Sequence, residues 1–218
     1  MRSLRRWIAG LFLGCPGVAW ACDTALVLTI DVSNSVDQGE YRLQIDGLAD
    51  ALEDPEIVEA MVRGEVAISV VQWSGENWQD LTIPWRTIRT SFDAQQLALE
   101  ARLMPRAFVL SDTAPAEAIY FAIEQFEEAP ECRKKVIDVS GDGTPNAGRS
   151  TSAARQAAQR AGITINGIAI ESLGMAITTF YHRQLITPDG FVITARSHND
   201  YPNAIRRKLI RELTLPLG

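Results

Sequence analysis

The chain has 218 residues, 46% of them apolar and 22% charged. That is enough to bury one ordinary globular core, and the sequence shows neither low-complexity segments nor internal repeats. Acidic residues (27) outnumber basic ones (21), which argues against the phosphates of nucleic acid as a partner and favours cations.

Arg2, Arg5 and Arg6 precede a short apolar run from Trp7 to Leu13, and Ala19-Trp20-Ala21 has the small-x-small form of a cleavage site. Residues 1–21 read as a secretory signal and 22–218 as a single mature domain. The run is too short, and too broken by Gly10, Gly14, Pro16 and Gly17, for a membrane span. An uncleaved anchor and a lipidated Cys22 are the alternatives. Loss of three arginines leaves 18 basic against 27 acidic residues, a net charge of −9. No second apolar stretch reaches membrane length, so the mature chain is expected to be periplasmic or secreted, without a transmembrane segment.

Ala25 to Ile30 is a continuous apolar run, the pattern of a strand buried on both faces. Tyr41, Ile45, Leu48, Ala49 and Leu52 then fall on one helical stripe over residues 38–53. Asp54-Pro55 stops that helix, and a short one follows from Glu56 to Arg63. Glu65 to Trp73 reads as a second strand. Gln79 to Trp85 alternates and carries Pro84, which suits an edge strand joined to its neighbour by a tight turn at Ser74 to Trp78. Ser91-Phe92-Asp93 opens a helix to Leu103, and Thr113 and Pro115 open another to Glu128. Lys134 to Ser140 is a strand. Ser150 to Ala161 is a helix ended by Gly162. Ile163 to Ile170 is a strand, Ala176 to Gln184 a helix, Phe191 to Ala195 a short strand, and Asn199 to Leu213 the closing helix. Strands that alternate with helices, plus one hairpin at an edge, give an α/β class: a doubly wound, mostly parallel sheet with one antiparallel edge strand.

Ligands of such sheets bind beyond the carboxyl ends of the strands, where strand order reverses. Three oxygen-rich loops stand at such ends: Asp31-Val32-Ser33-Asn34-Ser35, Ser111-Asp112-Thr113 and Ser140-Gly141-Asp142-Gly143. If the first strand and the strand before Asp142 are neighbours, Asp31 and Asp142 meet. Ser33 and Ser35, two apart in an extended loop, can point their hydroxyls the same way, and Thr113 can add a third. Hydroxyls and carboxylates suit a hard divalent cation such as Mg2+, which takes six oxygens at about 2.0–2.1 Å and keeps some waters. The string Asp-x-Ser-x-Ser also suits a capped turn, so its place at a buried strand's end carries the metal reading.

LTIDVSNSVDQGEY, the PW after the hairpin, VIDVSGDGTPNAG, AGITINGIAI and AIRRKL together resemble the von Willebrand factor type A (vWA) domain, and within it the DUF1194 family of exported bacterial proteins. The resemblance covers residues 24–213. It implies a Rossmann-like sheet of order 3-2-1-4-5-6 and a metal-ion-dependent adhesion site (MIDAS). Ser33, Ser35 and Thr113 would ligate the ion directly, and Asp31 and Asp142 mainly through water. Two positions depart from the family. Asn34 stands where glycine is usual, although asparagine tolerates left-handed backbone. Asp112 precedes Thr113 where small residues are usual. It would shift the preference toward Ca2+ or Mn2+, or else is a solvated loop charge.

Cys22 lies just before the first strand and Cys132 just before the strand that ends in Ser140. If those strands are parallel neighbours, about 4.8 Å apart, the two cysteines meet at the amino ends and can form a disulfide worth ~3–4 kcal/mol. Free or metal-bound thiols are the alternative.

Neither His182 nor His198 has zinc spacing, and both read as surface residues. Arg206, Arg207 and Lys208 read as a solvated basic face. Trp73, Trp78 and Trp85 flank the hairpin and read as cross-strand packing, with Trp78 the best candidate for an exposed anchor. The expectation is a non-enzymatic, cation-dependent binding module that takes an exposed Asp or Glu of a partner protein. A metal-assisted hydrolase and a structural domain with a degenerate site are the alternatives.

Overall fold

The structure is a computed structural model that describes residues 22–109, 111–172 and 174–214, so the expected signal lies outside the described residues. In chain order the elements are β1 (Cys22–Asp31), α1 (Gln38–Glu53), α2 (Pro55–Arg63), β2 (Ala67–Trp73), β3 (Gln79–Thr87), α3 (Ser91–Leu103), α4 (Pro115–Gln125), β4 (Cys132–Gly141), α5 (Thr151–Arg160), β5 (Ile163–Ile170), α6 (Ala176–Phe180), β6 (Val192–Ala195) and α7 (Tyr201–Thr214). Among the described residues no helix is long and apolar enough to cross a membrane.

The sheet runs β3-β2-β1-β4-β5-β6, the order that the family resemblance implies, with β3 antiparallel and the rest parallel, as the pattern of elements predicts. Both faces of β1 are covered. Leu26, Leu28 and Ile30 pack with α1, α2, α3 and α7, whereas Ala25 and Val27 pack with α4, α5 and α6. Burial of each large side chain is worth about 1.5–3 kcal/mol, so the central strands hold both cores. Pairing of Ile30 with Ser140 makes β1 and β4 end together, and this brings Asp31 and Asp142 to one place.

At the other end of the same ladder Cys22 pairs with Cys132, and the two are joined by a disulfide with Cα atoms 4.4 Å apart. Asp54 both ends α1 and caps α2, accepting the amides of Glu56 and Ile57, and Pro55 fits the first helical position.

Two helical regions differ from the sequence reading. The expected helix Ala176–Gln184 is α-helical only to Phe180 and continues as one π-turn, Tyr181–Leu185, closed by the Ile186 amide on the Tyr181 carbonyl. The turn seats the buried Tyr181 ring over Gly167, where a Cβ would stand 2.7 Å from the ring, and its hydroxyl beside Gly141. The closing helix begins at Tyr201, preceded by a 3-10 turn over His198–Asp200.

The basic face is solvated at Arg206 and Arg207 but not at Lys208. Lys208 is fully buried and paired with Asp138 (3.0 Å) and Glu212, and Arg206 pairs with Asp54 (2.7 Å). Tyr201, Ala204, Ile205, Lys208, Leu209 and Glu212 form one inward stripe of α7, and the helical period puts Lys208 on it.

Of the three tryptophans, Trp73 is buried, whereas Trp78 is 52% exposed and meets Phe108 edge-to-face. Trp85 packs against Phe126.

Candidate metal centre

All five residues expected at the cation site converge. The Ser33 amide donates to Asp31 Oδ1 (2.8 Å), which sets the turn. The Thr113 hydroxyl donates to Ser33 Oγ (3.2 Å), Ser33 and Ser35 hydroxyls are 3.1 Å apart, and the Ser35 hydroxyl donates to Asp142 Oδ1 (2.5 Å). The first loop is also tied through the backbone to the second loop and to the end of β2. The Asn34 amide donates to the Ser111 carbonyl, and the Val32 amide to the Trp73 carbonyl.

Asn34 does not use a left-handed backbone. Glu65 is the one described non-glycine residue with positive φ, so the turn needs no glycine at position 34. Asp112 is exposed on the rim of an open cleft of about 480 Å3, lined also by Asn34, Ser35, Ser111, Thr113 and Asn146.

The electrostatics are unbalanced. Asp31 is fully buried, and its Oδ2 has no hydrogen-bond partner within the chain. Burial pushes its carboxyl up to about 7, opposed by the Ser33 hydrogen bond and reinforced by the negative charge of Asp142. Burial also raises Asp142, opposed by the Ser35 hydroxyl and His198 and reinforced by Glu40. Burial beside these carboxyls lifts the Tyr181 phenol well above its ordinary value. A buried carboxylate oxygen without a donor, beside three hydroxyls that meet only one another and Asp142, fits a hard, oxygen-liganded cation.

Several residues were not read from the sequence. Asn146 clamps Thr113: its Oδ1 accepts the Thr113 amide (2.8 Å), and its own amide donates to the Thr113 carbonyl (3.1 Å). Arg106 donates to the carbonyls of Val32 and Ser33, both at 2.9 Å, and holds the first loop from outside. His198 is not a surface residue. Its side chain is 12% exposed and lies between Glu40 and Asp142. Among the described residues, Glu40, Asp142 and His198 form one group that could hold a metal ion.

The model of DUF1194, a family described as protein of unknown function, matches residues 21–216. The chain belongs to the DUF1194 family. No curated protein matches it. The von Willebrand factor type A structure from Catenulispora acidiphila is similar, with TM-score 0.61 and 15% identity over 90% of this chain and 44% of that one. Proximal thread matrix protein 1 from the mussel byssus, solved with a zinc-occupied MIDAS motif, gives 0.63 and 17% over 88% and 48%. The vWF domain of the type V pili tip protein Mfa5 from Porphyromonas gingivalis gives 0.61 and 11% over 92% and 99%. This DUF1194 chain therefore has the vWA fold, and it spans about half the length of the mussel and Catenulispora chains.

Proposed function

We propose that this DUF1194 protein is an exported, cation-dependent binding module that captures an acidic group of a partner protein. Asp31, Ser33, Ser35, Thr113 and Asp142 would hold a divalent ion, with Mg2+ the choice of an all-oxygen donor set. The observation that carries the reading is the buried, unpartnered Oδ2 of Asp31 beside three clustered hydroxyls. When bound, the ion supplies an electrophilic position for a carboxylate oxygen from outside. Ser33, Ser35 and Thr113 contribute no charge, so the ion keeps its attraction for that carboxylate. Asn146 and Arg106 hold the loops in place, and the open cleft admits the partner.

A matrix protein with a metal-occupied MIDAS and a pilus tip protein among the structural neighbours support an extracellular binding role. Export also suits the Cys22–Cys132 disulfide.

Calorimetric titration with Mg2+ tests the reading. Wild type is expected to bind one ion, and Ser33→Ala to lose most of that affinity. Equal binding by the two proteins overturns it. Pull-down from cell-envelope extract is expected to retain a partner that chelator releases.

A further inference from the structure

Asp142 faces two ways. Oδ1 accepts the Ser35 hydroxyl on the side of the proposed ion, while Oδ2 lies 3.7 Å from His198 Nε2. That separation is too long for a hydrogen bond. It is close to the spacing of two ligands on one ion, since donors about 2.0–2.1 Å from a tetrahedral centre lie about 3.4 Å apart. Nε2 is itself buried and has no hydrogen-bond partner within the chain.

The other side of the ring is engaged. Nδ1 stands 3.0 Å from Glu40 Oε1. Glu40 Oε2 accepts the Asp37 amide (2.8 Å), and Asp37 in turn accepts the Glu40 amide, a capping box at the start of α1. Glu40 is thus fixed by the helix start. With a proton on Nδ1 directed at Glu40, the imidazole presents its Nε2 lone pair toward Asp142. A carboxylate behind the histidine is the usual outer shell of an imidazole–metal bond.

We propose that His198 Nε2 and Asp142 Oδ2 form a second cation subsite for a borderline divalent ion of the zinc class, bridged to the hydroxyl centre by Asp142. Imidazole nitrogen suits zinc, whereas Mg2+ prefers oxygen, so donor type sorts the ions between the two subsites. Glu40 is a positioning residue here, because its Oε2 accepts the Asp37 amide and its Oε1 faces Nδ1 on the far side of the ring from Asp142. Only the bridging by Asp142 rests on the proposed function. The His198–Asp142 pair stands without it.

The test is calorimetry on the exported protein, purified without an affinity tag and stripped of metal, titrated separately with Zn2+ and Mg2+. Wild type is expected to bind two zinc ions and one magnesium ion. His198→Ala and the closer-shaped His198→Gln are expected to bind one zinc and to keep the magnesium. His182→Ala, at the only other histidine, is expected to keep all three. Glu40→Gln is expected to weaken the second zinc about 10–100-fold, the range for outer-shell partners. Zinc binding that is the same in wild type and in both His198 variants overturns the second subsite. A zinc equivalent lost with His198, in a wild type that binds no magnesium, keeps this subsite and overturns the hydroxyl centre.

Discussion

Strand β4 leads to two acids, the buried Asp138 within it and the half-buried Asp142 just beyond it, and the chain treats them in opposite ways. Asp138 meets an internal cation: Lys208, buried in α7, pairs with both Asp138 and Glu212, and the Asn166 amide donates to Glu212 (2.7 Å). Asp142 lies with Asp31 and Glu40 among hydroxyls, and the basic group beside it is a histidine 3.7 Å away. The inner cluster therefore contains its own cation, one lysine to two carboxyls, and is closed between α7 and the sheet. The outer cluster leaves its countercharge to be supplied through an open cleft. Similar residue types thus close one cluster on itself and leave the other open to the cleft, and the difference is whether a lysine is present.

The largest effect should come from removing that lysine. Lys208→Met leaves two carboxyls buried without a cation and is expected to cost about 3–5 kcal/mol in chemical denaturation. A loss below about 1 kcal/mol would mean that the inner cluster is not held by its charge, and the contrast would fail.

The outer cluster should behave in the reverse sense. Asp31→Asn removes an unbalanced charge, so the ion-free variant is expected to be no less stable than wild type at pH 8. Mg2+ at about 100 times its dissociation constant should raise wild-type stability by about 2.7 kcal/mol and leave Asp31→Asn unmoved. Because the Asp31 carboxyl is raised from 3.8 to about 7 in the folded chain, its contribution to stability is full below about pH 4 and lost as pH rises through 7. Ion-free wild type should thus weaken relative to Asp31→Asn from pH 5 to pH 8. Its apparent Mg2+ affinity, which needs the carboxylate, should rise about tenfold from pH 6 to pH 8. A flat profile would remove Asp31 from the ion's surroundings.

The smallest effect is expected on the surface. Arg206→Ala breaks an ion pair with Asp54 on the same helix as Lys208, and should cost about 0–1 kcal/mol by thermal melting. A larger loss would show that exposure does not separate the two kinds of pair.

The fold and the five converging side chains were legible because they depend on short-range signals. A both-faces-buried strand reads as an apolar run, and Asp31, Ser33 and Ser35 follow one such strand at fixed spacing. Asp142 follows another. What escaped depends on the meeting of distant elements. His198 comes from a 3-10 turn before α7, and nothing local ties it to Glu40 at the start of α1. Asn146 looks like any loop asparagine until its two hydrogen bonds to Thr113 are seen. Lys208 was readable in principle. It sits on the apolar stripe of its helix, and a charged residue on such a stripe, with Asp138 in a buried strand, calls for a pair. The adjacent Arg206 and Arg207 disguised it as part of a surface patch.

The Cys22–Cys132 bond lies at the opposite end of β1 from Asp31. A load applied at Asp31 along the axis of β1 would act in shear against the parallel ladders to β2 and β4. The hydrogen bonds of those ladders then share the load together and do not open one after another. At the far end the covalent link passes tension from β1 directly into β4, the strand that leads to Asp142. The two strands that frame the centre are thus joined along their length by the ladder and covalently at the end remote from Asp31.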